Sequence, residues 1–400
     1  MIESSKMKVL LLTTSFPLTP ESMSGIFINR FIPFLPDDIE LTILTPSDRE
    51  KNIVHNERFN LRTFRYAPGV WQQLAHEPGG LPAALKSNKL LFLLLPFFFI
   101  SLCWACVRES LTSDLIHANW SINGLVAGVI GRLTATPTVT SLRGGDVNRI
   151  NHSVFHRFLV HACFILNNSI VTVSDSLAEF LADKFPRYAY KIETVSNGVD
   201  DSFYAAAIDR PCHRHIEMLA VGNLVPEKGV EKIIRALGEL EMISGWHLTV
   251  LGDGEQRSFL EQLAHRQGIS TMVGFKGRVA PADVAQYMRK ADLFLFASLA
   301  EGRPNALMEA MAAGLPVIAS TLPSVMELIR HEENGLLFQV ERIDQLQEMI
   351  KYLLENPKER QRLGAAGRVS LKSRGMTWEN TGSKYGEIYR QLVQESKGDT

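Results

Sequence analysis

Short apolar runs alternate with longer helical patterns from one end of this 400-residue sequence to the other, and no other feature constrains the fold as strongly. Strand-like runs separated by helix-length segments cannot pair as tight hairpins. They specify parallel strands joined by crossover helices, which is a layered α/β architecture. In the first half the expected strands are Val9–Leu12, Leu41–Leu44, Leu115–Ala118, Thr138–Ser141 and Ile170–Val173. In the second half they are Met218–Val221, His247–Leu251, Leu293–Ala297 and Pro316–Ala319. The chain is too long for one ordinary core, so two doubly wound parallel sheets are expected. Ser196 to His215 (SNGVDDSFYAAAIDRPCHRH) is rich in turn formers and has no sustained period, which marks a linker. The expected division is an N-terminal Rossmann-like domain over 1–200, a C-terminal one over 201–376, and a closing helix over 377–400. Trp378, Tyr385, Ile388, Tyr389 and Leu392 fall on helical spacing in that last segment. Sheets of this kind bind ligands at the carboxyl ends of their strands, and a cleft between the domains is the expected place.

Bulk properties exclude several classes. Forty-two basic and 43 acidic residues leave a net charge of -1, which offers no global field for nucleic acid. Cys103, Cys106, Cys163 and Cys212 are too few and too scattered for a disulfide framework and fit a reducing cytoplasm. Cys103 and Cys106 form a C-x-x-C without a second pair, so no metal site is expected. Lys6 to Phe16 (KMKVLLLTTSF) reads as a first buried strand before a turn at Pro17 rather than as a secretion signal. Leu90 to Val107 (LLFLLLPFFFISLCWACV) approaches a bilayer-spanning length. A single span there would put Val9–Leu12 and Leu115–Ala118 on opposite sides of a membrane, where they could not share a sheet. A buried or membrane-surface helix is therefore expected. No internal repeat is visible, and P-loop, G-x-S-x-G and H-E-x-x-H motifs are missing. GDGEQR has Arg257 where a dinucleotide fingerprint needs its third glycine, which argues against a dehydrogenase.

The strongest chemical signal is Ser298 to Ser320, SLAEGRPNALMEAMAAGLPVIAS. Glu301 follows the strand-like LFLFA, Gly302 and Pro304 make a turn, and a helix runs from about Asn305 to Ala313 before Gly314 stops it. Backbone N–H groups of Asn305, Ala306 and Leu307 at that helix start suit an anion such as a diphosphate. Glu301 and Glu309 flank the position and can accept hydrogen bonds from sugar hydroxyls.

This E-x(7)-E segment closely resembles the donor-site signature of family 4 retaining glycosyltransferases, and further segments match in order. Ala220 to Val230 (AVGNLVPEKGV) resembles the family's phosphate-clamping strand and loop. Asp114 to Trp120 (DLIHANW), Thr140 to Asn148 (TSLRGGDVN) and Ile192 to Asp200 (IETVSNGVD) resemble its N-domain and linker segments. The resemblance implies a GT-B fold with the closing helix returning to the N-domain. It implies that Glu309 holds ribose hydroxyls, that Glu301 sits against the transferred sugar, and that Lys228 neutralises the leaving phosphate. Gly25 in SMSGIF is similar to the glycine that brings N-domain backbone close to the donor. Gly252 and Gly254 in LGDGEQ, and Arg278 and Val279 in FKGRV, are similar to loops lining the nucleotide pocket, although Gly254 reads equally well as a turn glycine.

Four positions depart from the pattern. Asn223 stands where the family commonly has an arginine beside its lysine. Arg143 replaces a frequent histidine and can bind phosphate or a carboxylated sugar, or pair with Asp146. His117 and Asn119 replace a frequent H-x-H, and with Asp146 they form the acceptor side. His117 reads either as a packed strand-end histidine or as a substrate contact. The resemblance implies retention of configuration, with a UDP-sugar or GDP-mannose as donor and no further cofactor. The EGRPN form resembles transferases that build bacterial capsule, teichuronic acid or lipopolysaccharide, acting on a glycan or lipid-linked acceptor in the cytoplasm beside the inner membrane. A nucleotide-sugar epimerase and a non-catalytic donor-binding subunit of the same fold are the alternatives.

Overall fold

The computed structural model describes residues 6–19, 24–47, 57–76, 80–205, 215–240 and 245–398. Cys212, the 206–214 part of the expected linker, and Ser22 and Met23 of SMSGIF lie outside the described residues. The chain divides into two units, residues 1–198 with 378–400, and residues 199–377.

The first unit is built on seven parallel strands: β1 Met7–Leu12, β2 Ile39–Pro46, β3 Phe59–Phe64, β4 Leu115–Asn119, β5 Thr138–Leu142, β6 Ser169–Thr172 and β7 Ile192–Thr194. They lie side by side in the order β3-β2-β1-β4-β5-β6-β7. The second unit has six parallel strands: β8 Ile216–Val221, β9 Trp246–Leu251, β10 Val273–Gly277, β11 Leu293–Phe296, β12 Val317–Ser320 and β13 Leu336–Phe338. Their order is β10-β9-β8-β11-β12-β13. Both sheets thus reverse direction beside their first strand, at β1/β4 and at β8/β11, and the loops leaving those strands flank the natural ligand crevice of each sheet.

The expected strands are all present. Four more were not anticipated: β3, β7, β10 and β13. Each is short or polar along part of its length. β3 reads FNLRTF at the sheet edge, β7 and β13 are three residues each, and β10 reads VGFKG, which sequence reasoning assigned to a loop. Their placement comes from a neighbour that supplies the ladder, not from their own pattern.

Central strands carry the core. Leu10, Leu11 and Leu12 of β1 are fully buried, with alternate residues packing into clusters on opposite sides of the sheet. Burying a side chain of this size stabilises by about 1.5–3 kcal/mol. The Trp378–Gly398 helix belongs to the first unit and buries Trp378, Tyr385, Ile388, Tyr389 and Leu392 against Phe31 and Ile39. Gly382 permits the approach: a Cβ there would stand 2.5 Å from Phe34 O. In Lys89–Ser110, Asn88 caps the start by accepting from Leu90 N–H at 3.0 Å. Pro96 falls in the first turn of its α portion, Leu95–Ser110, where the missing donor costs nothing. Cys103, Cys106 and Cys163 are free, and burial pushes the Cys106 thiol up to about 12, an unreactive range for a helix-core cysteine.

Candidate active site

In the second unit the crevice at β8/β11 gathers most of the residues that the sequence singled out. The loop after β8 passes through Gly222 and Asn223 to a single 3₁₀ turn, Pro226–Lys228. The loop after β11 carries Ser298 and Glu301. Lys228 Nζ and Glu301 Oε1 meet at 2.5 Å, and Ser298 Oγ donates to the same oxygen at 2.8 Å. The side chains remain 29% and 10% exposed, so the pair is shielded but reachable. Charge-assisted bonds of this kind are strong where water is scarce.

One backbone bond joins the two loops, and two serine hydroxyls from β12 and the segment after it fasten the second loop. Leu299 N–H donates to Glu227 O at 2.8 Å, Ser320 Oγ to Ser298 O at 2.6 Å, and Ser324 Oγ to Glu301 O at 3.2 Å. Buried Arg303 pairs with Glu327 at 2.9 Å. Sequence reasoning missed Ser298, Arg303, Ser324 and Glu327; only their proximity to the E-x(7)-E segment pointed to them. The helix after the loop runs Asn305–Ala312, with Pro304 at its N-cap and no side-chain cap. Asn305 N–H donates to Arg303 O at 3.0 Å, so of the three amides expected to receive an anion this one already has an acceptor. Leu307 is buried, Ala306 is partly covered, and Glu309 lies just past the first turn, half-buried.

Gly252 and Gly254 join the same crevice from β9. Gly252 has φ +133°, and a Cβ would stand 1.8 Å from Gly222 O; at Gly254 it would stand 2.5 Å from Leu224 O. Close backbone packing is therefore a sufficient reason for both glycines. Gly252 N–H also donates to Gly277 O at 2.8 Å, which draws in the end of β10. Beyond it, exposed Arg278 and half-buried Val279 border a pocket of about 370 Å³ with Ala280, Asp283, Tyr287 and Lys290. Asn223 is exposed.

The first unit furnishes its crevice differently. Gly25, at φ +66°, caps the Ile26–Phe31 helix, and a Cβ there would strike Ser15 O at 2.0 Å. Arg143, at the end of β5, is buried. Its Nη1 donates to Asn197 Oδ1 and its Nη2 to Asn119 Oδ1, both at 3.3 Å, and its guanidinium lies 3.5 Å from the Phe27 ring centroid. Burial lowers its pKa to about 10, against the opposing fields of Tyr385 and Asp146. Asp146 does not reach for the guanidinium. It accepts from Ser121 N–H at 3.0 Å, Ser121 Oγ at 2.6 Å and Arg143 N–H at 3.2 Å, and burial raises its pKa. Among the described residues, Arg143 Nε, Asn119 Nδ2 and Trp120 Nε1 are buried donors that find no acceptor. Trp120 itself sits at φ 77°, a strained conformation for a bulky residue.

His117 occupies the interior of this unit. One ring nitrogen meets Tyr389 Oη at 2.6 Å and the other Ser141 Oγ at 2.8 Å, while Ser141 Oγ lies 3.0 Å from Tyr385 Oη. Burial, aided by the positive Arg143, lowers its pKa to about 3, so the ring is neutral. With both nitrogens engaged, it fastens the C-terminal helix to β4. The partners come from residues 244 and 272 positions away from Ser141 and His117, and no local pattern announces them.

Two parallel sheets of this order, each with a ligand crevice at its strand ends, define the fold class as GT-B. Solved structures share the fold. Sucrose-phosphate synthase from Thermosynechococcus elongatus matches at TM-score 0.76 and 19% identity, over 98% of this chain and 100% of that one. Anabaena HepE in complex with UDP matches at 0.73 and 19%, over 96% and 100%. Among sequences, the amylovoran biosynthesis glycosyltransferase AmsK of Erwinia amylovora is 26% identical over 363 residues, 83% of this chain and 86% of its own length. Residues 34–203 match the family model Glycosyltransferase Family 4, and residues 213–370 match Glycosyl transferases group 1. The chain therefore carries a Glycosyltransferase Family 4 domain followed by a Glycosyl transferases group 1 domain.

Proposed function

We propose that the chain is a retaining glycosyltransferase that moves a sugar from a nucleotide-sugar, a UDP-sugar ahead of GDP-mannose, to a glycan or lipid-linked acceptor in bacterial surface polysaccharide synthesis. It would act in the cytoplasm beside the inner membrane. The observation that carries this reading is the Lys228–Glu301 pair in the crevice of the second sheet. A pyrophosphate entering there finds in Lys228 the cation that neutralises its leaving oxygens, and developing charge at that oxygen is the main term a site of this kind can stabilise. Glu301, released in part from Lys228, accepts from hydroxyls of the transferred sugar. Glu309 accepts from the ribose, and the Gly222 and Gly252 loops bring backbone close to the nucleotide.

Glu301 is held by a lysine and a serine, which makes its carboxylate a poor nucleophile. The acceptor hydroxyl therefore attacks the anomeric carbon from the face the nucleotide leaves. Its oxygen forms the new glycosidic bond, the bond from carbon to phosphate oxygen breaks, and the hydroxyl proton passes to the departing diphosphate. Configuration is retained without a covalent sugar–enzyme intermediate. Arg143 and the orphan donors of Asn119 and Trp120 suit an oxygen-rich group, a phosphate or a carboxylated sugar. The likeness to a UDP-bound structure supports uridine as the base, and the amylovoran relative supports the polysaccharide setting. No metal enters the mechanism, so turnover is expected to persist in a chelator.

A thermal-shift panel of UDP-, GDP-, ADP- and CMP-sugars tests the donor, because ligand at about 100 times Kd stabilises by about 2.7 kcal/mol. A rise with UDP-sugars supports the reading; a flat response across the panel sinks it. Proton NMR of the product then reads the anomeric configuration.

A further inference from the structure

The Lys89–Ser110 helix is apolar on both faces. One face buries Leu91, Phe98, Leu102, Ala105 and Cys106 in the first unit's core. The other turns Leu90, Leu93, Phe97, Ile100 and Trp104 outward, and with Leu111 just past its end these are 60–71% exposed. Their steps of three and four place them on one stripe. Leaving as a transmembrane span would strip the core of the first set, so the stripe is an in-plane surface.

Two neighbours extend it. The α portion of this helix packs on the Ser121–Thr134 helix, and that one packs on Val154–Leu166. The first neighbour exposes Val129 and Leu133, the second Val154, Phe155, Phe158 and Ile165. Of the 22 large hydrophobic side chains exposed among the described residues, 13 lie on these three segments. Scattered apolar residues are ordinary on a surface; a contiguous field of this kind marks a binding face.

Charge identifies what covers it. Lys86, Lys89, Arg108, Arg132, Arg149 and Arg157 are exposed on or beside the three helices. The same segments, residues 86–111, 121–134 and 149–166, hold one acidic residue, Glu109, which is bonded to Arg108 at 2.6 Å. Against a whole-chain charge of -1, the face is locally cationic. A second protein with an apolar groove would not require those accompanying cations, whereas an anionic lipid surface matches both halves of the pattern. Trp104, with Arg108 5.4 Å from its ring, has the amphipathic form favoured at the headgroup boundary.

We propose that these three helices dock the enzyme on an anionic phospholipid bilayer, with the stripe around Phe97 and Trp104 in the acyl boundary and the six cations on the headgroups. This deepens the membrane-side part of the proposed function. Vesicle binding is measured without donor or acceptor, so its failure leaves the transferase reading standing. The full chain is floated with vesicles of phosphatidylcholine alone and with about one-third phosphatidylglycerol. Binding is expected to be at least about tenfold tighter on the anionic vesicles and to weaken as salt rises. The double variant Phe97→Glu/Trp104→Glu should lose about tenfold or more with an unchanged melting temperature, and Arg132→Glu/Arg157→Glu should lose the preference for anionic lipid. Equal binding to both vesicle types, or wild-type binding in the Phe97/Trp104 variant, overturns the proposal. So does a stable dimer in solution that the same variant dissociates, which would assign the face to a second copy.

Discussion

The two sheets share a strand order and a reversal point, yet their crevices are furnished in opposite ways. At β8/β11 a lysine and a glutamate pair directly and stay within reach of solvent. At β1/β4 and the adjoining end of β5, the ionisable groups are sunk in the protein: Arg143 and Asp146 are buried without a direct bond between their charged ends, and His117 is wholly interior. The first arrangement can exchange its internal partner for a ligand, because neither ion must be stripped of water again. The second is a frame whose hydrogen bonds hold helices and loops, with only a few donors left over. Fold alone therefore does not say which crevice handles charge; the side chains do.

The comparison breaks first at Lys228. If the second crevice supplies the charge stabilisation, Lys228→Ala should lower kcat/KM by about a thousandfold, the scale of one preorganised electrostatic donor. Lys228→Arg should recover part of it. A loss below tenfold, with donor binding intact, would place the chemistry elsewhere. Arg143→Met is the matching cut in the first unit. Losing a charge-assisted contact there should cost about 1.5–3 kcal/mol, or about ten- to a hundredfold in kcat/KM, with nucleotide binding preserved. Should Arg143→Met instead abolish nucleotide binding, the division of labour between the crevices is wrong.

His117 sharpens the contrast through pH. Its folded pKa of about 3 lies below the ordinary value of 6.5, so the unfolded chain takes the proton more readily. The stability this confers is complete above pH 6.5 and is lost as pH falls toward 3. Between pH 7 and pH 5 the linkage amounts to about 2 kcal/mol, or about 5 °C in Tm for a unit of this size. His117→Gln keeps a hydrogen-bonding side chain without titrating. Wild type should therefore lose about 5 °C more than the variant over that interval, read by thermal unfolding. Identical slopes would mean that the ring is not neutral and buried.

These residues also show how far the sequence could be read. The places of Glu301 after β11 and of the helix start after Pro304 were legible because they are local, a strand, a loop and a helix start in consecutive order, whereas Lys228 stood out only through the resemblance of its segment. The five-residue stripe from Trp378 to Leu392 was legible for the same reason. That Lys228 and Glu301 touch was not, since the two lie 73 positions apart and meet only because β8 and β11 are neighbours. His117 kept two readings until Tyr385 and Tyr389 of the last helix closed over it. β7 and β13 escaped because three residues carry no period. The membrane-length run forms a helix with one face in the first unit's core, and its outward stripe became visible only from the burial of that other face.

The mildest expected effect tests whether the second crevice is as positive as it needs to be. Asn223 is exposed on the loop that leads to Lys228, at the position where the family resemblance implies an arginine. Asn223→Arg adds a cation near the place a diphosphate would occupy without disturbing a buried contact. An exposed charge pair is worth about 1 kcal/mol in water, so nucleotide-sugar binding should tighten about fivefold at low salt, with the gain shrinking as ionic strength rises. Titration calorimetry at two salt concentrations reads both quantities. A gain that ignores salt would point to packing rather than charge. No gain at all would mean that the phosphates lie beyond the reach of a side chain at position 223, leaving Lys228 as the cation of this loop that meets them.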